Sequence, residues 1–298
     1  MSSVTVRGST LGVLARQEIG NYLKHKLFWF SGAVTLFLSA WQVRGDSDTG
    51  GESTVLYMIG PAAMLGLLGL VTMFSLTRRS DRAAEAAGAV AVPERVRTLA
   101  LACAVVVPLS FALVCFATAL IEYYTHPPAD YTVPPGVSDL FVHAQQFGGG
   151  VVSAVGGPLL GLLLARYLPR RGVAAIATVL VVLVTILLQG VAEGGQPYRV
   201  FWVWTYFVGQ VSTGWDFDYE GATHWATAPG NPYLWVLYLV VLCVLGVVLA
   251  ARHDPEADRF KLKWIALGLG GLALLLGVLT MTVGFTEVII NPIPCASC

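Results

Sequence analysis

The residues best equipped for chemistry fall into two groups. Asp216, Asp218, Glu220 and His224 crowd carboxylates and an imidazole together, and Arg78, Arg79, Asp81, Arg82 and Glu85 crowd charges of both signs. The first group could in principle ligate a metal or shuttle a proton, but it lacks metal-ligand spacing, and a solvated loop is the better reading. There is no HExxH pair and no GxxxxGK[ST] loop, so neither zinc-hydrolase chemistry nor nucleotide binding by a phosphate loop has a foothold. Cys295 and Cys298 end the sequence as CASC without partner ligands nearby. No catalytic site, cofactor site or metal site is expected in this chain.

The elements that must position these residues are apolar. Of 298 residues, 56% are hydrophobic and 12% charged, with mean hydropathy +0.70; soluble domains carry about a quarter charged residues. A hydrocarbon core of about 30 Å takes about 17 to 25 helical residues. Runs of that length place spans near 28–44, 54–76, 98–121, 148–168, 172–192, 233–251 and 264–286. Segments such as Val179 to Leu188 (VLVVLVTILL) are apolar on every face, whereas barrel strands alternate. The chain therefore reads as an all-α integral membrane protein, a bundle of about seven transmembrane helices.

Lys and Arg near span ends are retained on the cytoplasmic side. With the N-terminus inside, every basic residue except Arg44 and Arg199 falls in a cytoplasmic segment, and Asp46, Asp48, Glu52, Asp130 and Asp139 lie outside. A cell-membrane protein with a cytoplasmic N-terminus and an extracytoplasmic C-terminus follows. The opening MSSVTVRGST lacks the order of a cleaved signal. Leu11 to Leu27 is amphipathic, with Leu11, Leu14, Ala15, Ile19, Tyr22 and Leu23 opposite Gln17, Asn21, Lys24 and His25, although Glu18 and Lys26 interrupt the apolar face. Residues 1–27 are thus expected to form a cytoplasmic N-terminus with an interfacial helix.

Pro61, Pro108 and Pro158 fall within spans and predict kinks. The glycines of Gln145 to Gly161 predict close backbone approach between helices. The connector 193–232 is rich in aromatics, and Trp202, Trp204, Tyr206 and Phe207 sit in a run too short to cross. Charged side chains are missing from the centres of the spans, which argues against a buried proton relay.

Thr77 to Thr98 is too polar to enter a bilayer. Its alanines favour helix up to Gly88, Pro93 redirects the chain, and Arg82 and Glu85 are spaced to pair. A short cytoplasmic helix or a basic topology-fixing loop would both fit. In order, a surface helix, two spans, a charged helix, a proline and a basic start to the third span resemble the permease subunits of ABC type-2 exporters over residues 11–252. The stretches that carry the resemblance are Arg78 to Ala102 (RRSDRAAEAAGAVAVPERVRTLALA), Leu14 to Trp29 (LARQEIGNYLKHKLFW) and the inside turn Ala165 to Ala174 (ARYLPRRGVA).

The resemblance implies a six-helix permease domain over 28–252 with a coupling helix at 77–97, where Arg78, Arg79, Asp81, Arg82 and Glu85 would meet a separate ATPase. It implies a second inside turn at Arg166, Arg170 and Arg171, and short re-entrant helices in the outer connector, with Trp202, Trp204, Tyr206 and Phe207 at an outer gate. The partners implied are two copies of an ABC ATPase subunit, a second permease subunit, identical or related, and membrane lipid; nucleic acid is not among them. Residues 253–298, a seventh helix and tail, are additional to the family's usual six. An uncharged interior suits an amphipathic or hydrophobic substrate such as a drug, lipid or peptide. Two other classes remain open: a scaffold or sensor that only recruits cytoplasmic partners, and a membrane enzyme using Asp216, Asp218, Glu220 and His224.

Overall fold

The computed structural model describes residues 3–45, 58–88, 92–127, 138–191, 212–216, 223–228, 231–283 and 286–290. Helix α1 (Ser3–Leu23) turns at His25 into α2 (Lys26–Gly45). Helix α3 joins Ile59–Pro61, a π-helical turn Ala62–Leu67 and Leu68–Ala87. Helix α4 joins Glu94–Cys103 to Val106–Thr125, and α5 joins Asp139–Gln146, a second π turn Phe147–Val152 and Ser153–Tyr167. Helices α6 (Val173–Val191), α7 (Pro232–Arg252) and α8 (Arg259–Thr282) complete the bundle.

Among the described residues four helices are long and apolar enough to cross a membrane: Glu94–Thr125, Asp139–Tyr167, Pro232–Arg252 and Arg259–Thr280. Lys26–Leu38 and Val173–Thr185 are apolar but shorter over the residues whose side chains are described. Helix α6 exposes Ile176, Val179, Leu180, Leu183 and Val184, and α8 exposes Phe260, Trp264, Leu267, Leu274 and Leu275. Apolar surface this extensive suits lipid contact, not water. Buried hydroxyls of Ser31, Thr35, Thr77 and Thr280 donate to carbonyls three or four residues back, which satisfies them without a neighbour.

Two of the three span prolines mark an irregularity, for a local reason, and Pro158 does not interrupt its helix. Pro108 has no N–H for the Ala104 carbonyl and its ring crowds that oxygen, so the chain tightens there: Val107 N–H donates to Ala104 O at 3.1 Å, and α4 breaks at Ala104–Val105. Pro61 stands directly before the π turn of α3. Pro158 stays inside α5 and fits a notch made by Gly69, where a Cβ would lie 2.7 Å from the proline Cγ.

The glycines of α5 bring two backbones together. A Cβ on Gly157 would lie 2.0 Å from Gly66 O, and one on Gly161 would lie 2.2 Å from Leu70 O. Both distances are below any real contact, so α3 and α5 meet with no side-chain layer between them. Around this seam Leu65, Met73, Leu76, Leu101, Leu162 and Leu239 form a continuous core. Helix α7 packs on α8, α5 and α4, and α1 lies on α4 and α3.

Among the described residues the bundle is accompanied by a short three-stranded antiparallel sheet, β1 (Ser212–Asp216), β2 (Thr223–Ala228) and β3 (Thr286–Ile290), in the order β1-β2-β3. Strands β1 and β2 form a hairpin in the later part of the connector, and its second strand pairs with the segment after α8, His224 opposite Ile290; the run expected to form re-entrant helices, Trp202 to Phe207, lies outside the described residues. Two strands alone are marginal, and β3 supplies the third. Asn231 N–H donates to Thr280 O at 2.9 Å, so the start of α7 and the end of α8 sit side by side.

Candidate functional site

The polar ends of α3, α4, α5 and α7 converge at one end of the bundle. Helix α3 has no breaker between Leu68 and Ala87, so it runs from its apolar half straight into Arg78 to Glu85 and stops where Gly88 takes φ +62°. The charged segment is therefore the continuation of α3, not a separate short helix. Pro93 then precedes α4, with Glu94 in its first turn, where a carboxylate suits the exposed N–H groups.

Asp81 is the hub. Its Oδ1 accepts from Arg166 Nη1 at 2.6 Å and from Arg97 Nη1 at 3.0 Å, and Arg97 also donates to Ser80 O. Glu94 Oε1 lies 2.6 Å from His253 Nδ1 and 3.7 Å from Arg166 Nε. Four helices are thereby tied through five side chains. Asp254, buried beside His253, accepts from the backbone N–H of Arg95 at 2.7 Å and of Glu256 at 2.8 Å. Pro93 gives α4 no side-chain cap, so Asp254 satisfies one of the orphan donors of its first turn from the turn between α7 and α8.

Arg79 points elsewhere. Its Nη2 donates to Asn21 Oδ1 at 2.8 Å, and Asn21 Nδ2 donates to Glu18 Oε2 at 3.0 Å, which links α3 to α1. Glu18 interrupts the apolar face of α1 as expected, lying on its buried side with Tyr22, and Asn21 partners it there. At the end of α1, burial and the Arg79 charge push the His25 imidazole below its usual range, and its Nδ1 has no partner. Burial pushes the Tyr22 hydroxyl above its usual range.

Arg78, Arg82 and Glu85 line a cavity of about 530 Å³ together with Asp81, Glu94, Arg97, Arg166 and His253. The expected Arg82–Glu85 ion pair is not formed; three residues apart on an exposed helix face, both side chains turn to the cavity and its solvent. Arg170 and Arg171 are exposed at the turn after α5, outside the network, while Arg166 alone of that turn is drawn in. Glu94 and His253 escape sequence reasoning because they lie 159 positions apart. Trp202, Trp204, Tyr206 and Phe207, and the CASC tail, lie outside the described residues.

A smaller polar group sits at the other end of α4. Tyr123 Oη donates to Asp139 Oδ1 at 3.0 Å, Tyr124 Oη and His143 Nε2 are 3.0 Å apart, and Glu122 pairs with His126 at 2.9 Å. Asp216 and His224 fall on the paired strands β1 and β2, opposite Thr223 and Trp215 respectively, while Asp218 and Glu220 lie outside the described residues. No protein-family profile matches the chain, and neither the curated proteins nor the solved structures contain a significant match to it.

Proposed function

We propose that the chain is the transmembrane permease subunit of an ATP-driven ABC exporter, with seven spans, a cytoplasmic N-terminus and α1 lying along the inner membrane surface. Two such subunits, identical or related, form the path, and two ATPase subunits act on the α3 ends. The observation that carries this reading is the continuity of α3. One rigid element joins the apolar bundle to a charged surface of half-buried Arg78 and exposed Arg82 and Glu85, and Asp81 ties that surface to α4 and α5. A push on the exposed end therefore reaches the interior without passing through a flexible link.

The lever works only if the ATPase binds the α3 end differently with and without ATP, since a ligand shifts an equilibrium through unequal affinity for its states. The substrate is an amphipathic or hydrophobic molecule, consistent with a bundle core of aliphatic and aromatic side chains. The test is purification of the tagged chain from its native host, with identification of what accompanies it. A co-purifying ATPase whose recovery and stimulated hydrolysis fall in an Arg82→Glu, Glu85→Arg variant supports the reading. Recovery of other cytoplasmic proteins with no ATPase would favour a recruiting scaffold and overturn it.

A further inference from the structure

We propose that the cavity framed by the ends of α3, α4, α5 and α7 binds a phosphate group, carried either by an anionic lipid headgroup or by a soluble phosphate. Arg166 is 4% exposed. A guanidinium offers five donors in a planar fork. Only Nη1 is used, on Asp81; Nη2 has no hydrogen-bond partner, and Nε meets Glu94 only at 3.7 Å. Arg97 likewise keeps an unpartnered Nε. Buried donors of a permanent cation call for acceptors, and both guanidinium groups belong to the lining of the cavity that Arg78 and Arg82 share.

The charge balance of the lining points to an anion. Arg78, Arg82, Arg97 and Arg166 face Asp81, Glu85 and Glu94, and the two carboxylates nearest Arg166 are already engaged by Arg97 and His253. Among the described residues no ion pair involves Arg78 or Arg82. Convergent guanidinium forks match the tetrahedral oxygens of phosphate better than a single carboxylate can. The cavity, about 530 Å³, exceeds a bare phosphate and has room for the groups esterified to it. This inference does not rest on the permease reading, because the purified chain without partners is sufficient to test it.

The experiment uses the full chain in two settings. In neutral detergent it is titrated with inorganic phosphate at constant ionic strength while its thermal midpoint is followed. In phosphatidylcholine nanodiscs with and without phosphatidic acid, bound lipid is counted by native mass spectrometry. Saturable stabilisation by inorganic phosphate identifies a soluble source, and retention of one phosphatidic acid per chain without a response to inorganic phosphate identifies a lipid source. In either case Arg82→Gln and Arg166→Lys are expected to weaken binding about tenfold or more, and Arg171→Gln is expected to leave it unchanged. Arg82 is exposed, so its variant carries the test even where Arg166→Lys impairs folding. No response to either ligand, or equal binding in Arg82→Gln, overturns the proposal.

Discussion

Asp81 Oδ1 and Arg166 Nη1 stand 2.6 Å apart although 85 positions separate them, and the guanidinium is almost wholly buried while the carboxylate is partly open. Removing the carboxylate strands a buried cation, a change that costs about 3–5 kcal/mol in a closed interior. With Asp81 30% exposed, Asp81→Ala is expected to cost about 2 kcal/mol, screening having reduced the figure. Removing both charges as Asp81→Leu with Arg166→Met is expected to cost less than Arg166→Met combined with intact Asp81. Unfolding midpoints of these variants and of Asp81→Leu alone in one detergent would check this, and a purely additive Asp81→Leu, Arg166→Met cycle would count against a shared network.

The glycine seam makes a sharper, steric prediction. Gly157→Ala and Gly161→Ala each place a methyl group inside the van der Waals envelope of a backbone carbonyl on α3, at 2.0 and 2.2 Å. Backbone cannot give way as a flexible side chain does, so each variant is expected to lower the thermal midpoint by about 10 °C or to abolish monodisperse recovery. Gly268→Ala and Gly270→Ala on α8, where a Cβ meets nothing within 4 Å, are expected to be tolerated and slightly stabilising. Fluorescence-detected size exclusion after heating separates the two classes.

Parts of this arrangement can be read without coordinates because they are local. Gly88, Pro93 and Pro108 act on their immediate neighbours through φ or a missing N–H, and Gly157 and Gly161 announce close packing by their spacing. The partner of that seam, Gly66, does not announce itself, and neither does the meeting of Glu94 with His253, since both depend on which helices end up adjacent. Arg166 was legible as one of several basic residues at a turn, but only packing distinguishes it from exposed Arg170 and Arg171. The β2–β3 pairing was hidden for the same reason: Thr223–Ala228 and Thr286–Ile290 are short segments whose partner lies beyond α7 and α8.

Asp254 caps α4 across a long sequence separation, and the residue is 2% exposed. Charge-assisted hydrogen bonds of this kind contribute about 1.5–3 kcal/mol. Asp254→Ala is expected to destabilise the chain by about 2 kcal/mol; Asp254→Asn, which keeps an acceptor, should recover part of that. Hydrogen exchange is the direct check: the Arg95 amide should lose protection in the alanine variant while amides of α8 do not change.

Acidification should loosen the start of α2. His25 is held below its usual range by burial first and by Arg79 second, so the folded protein resists protonation that the unfolded chain accepts. Stability is therefore full above the ordinary histidine value of about 6.5 and declines as pH falls from there toward the depressed value. His25→Gln is expected to flatten that decline in a thermal-midpoint profile between neutral and mildly acidic pH. An unchanged slope in the variant would assign the acid sensitivity to other groups.

Where Gly157 touches Gly66, the two chains lie in main-chain contact with nothing compressible in between. Rotating α3 about its own axis would drive Leu65 or Leu67 into α5, so the pair can tilt only as a single rod. Any conformational cycle in this molecule must then hinge at the rod's edges, against α2, α4 and α7, where layers of leucine and methionine can shear. Crosslinks engineered across the seam should leave such a cycle running, and crosslinks at its borders should arrest it.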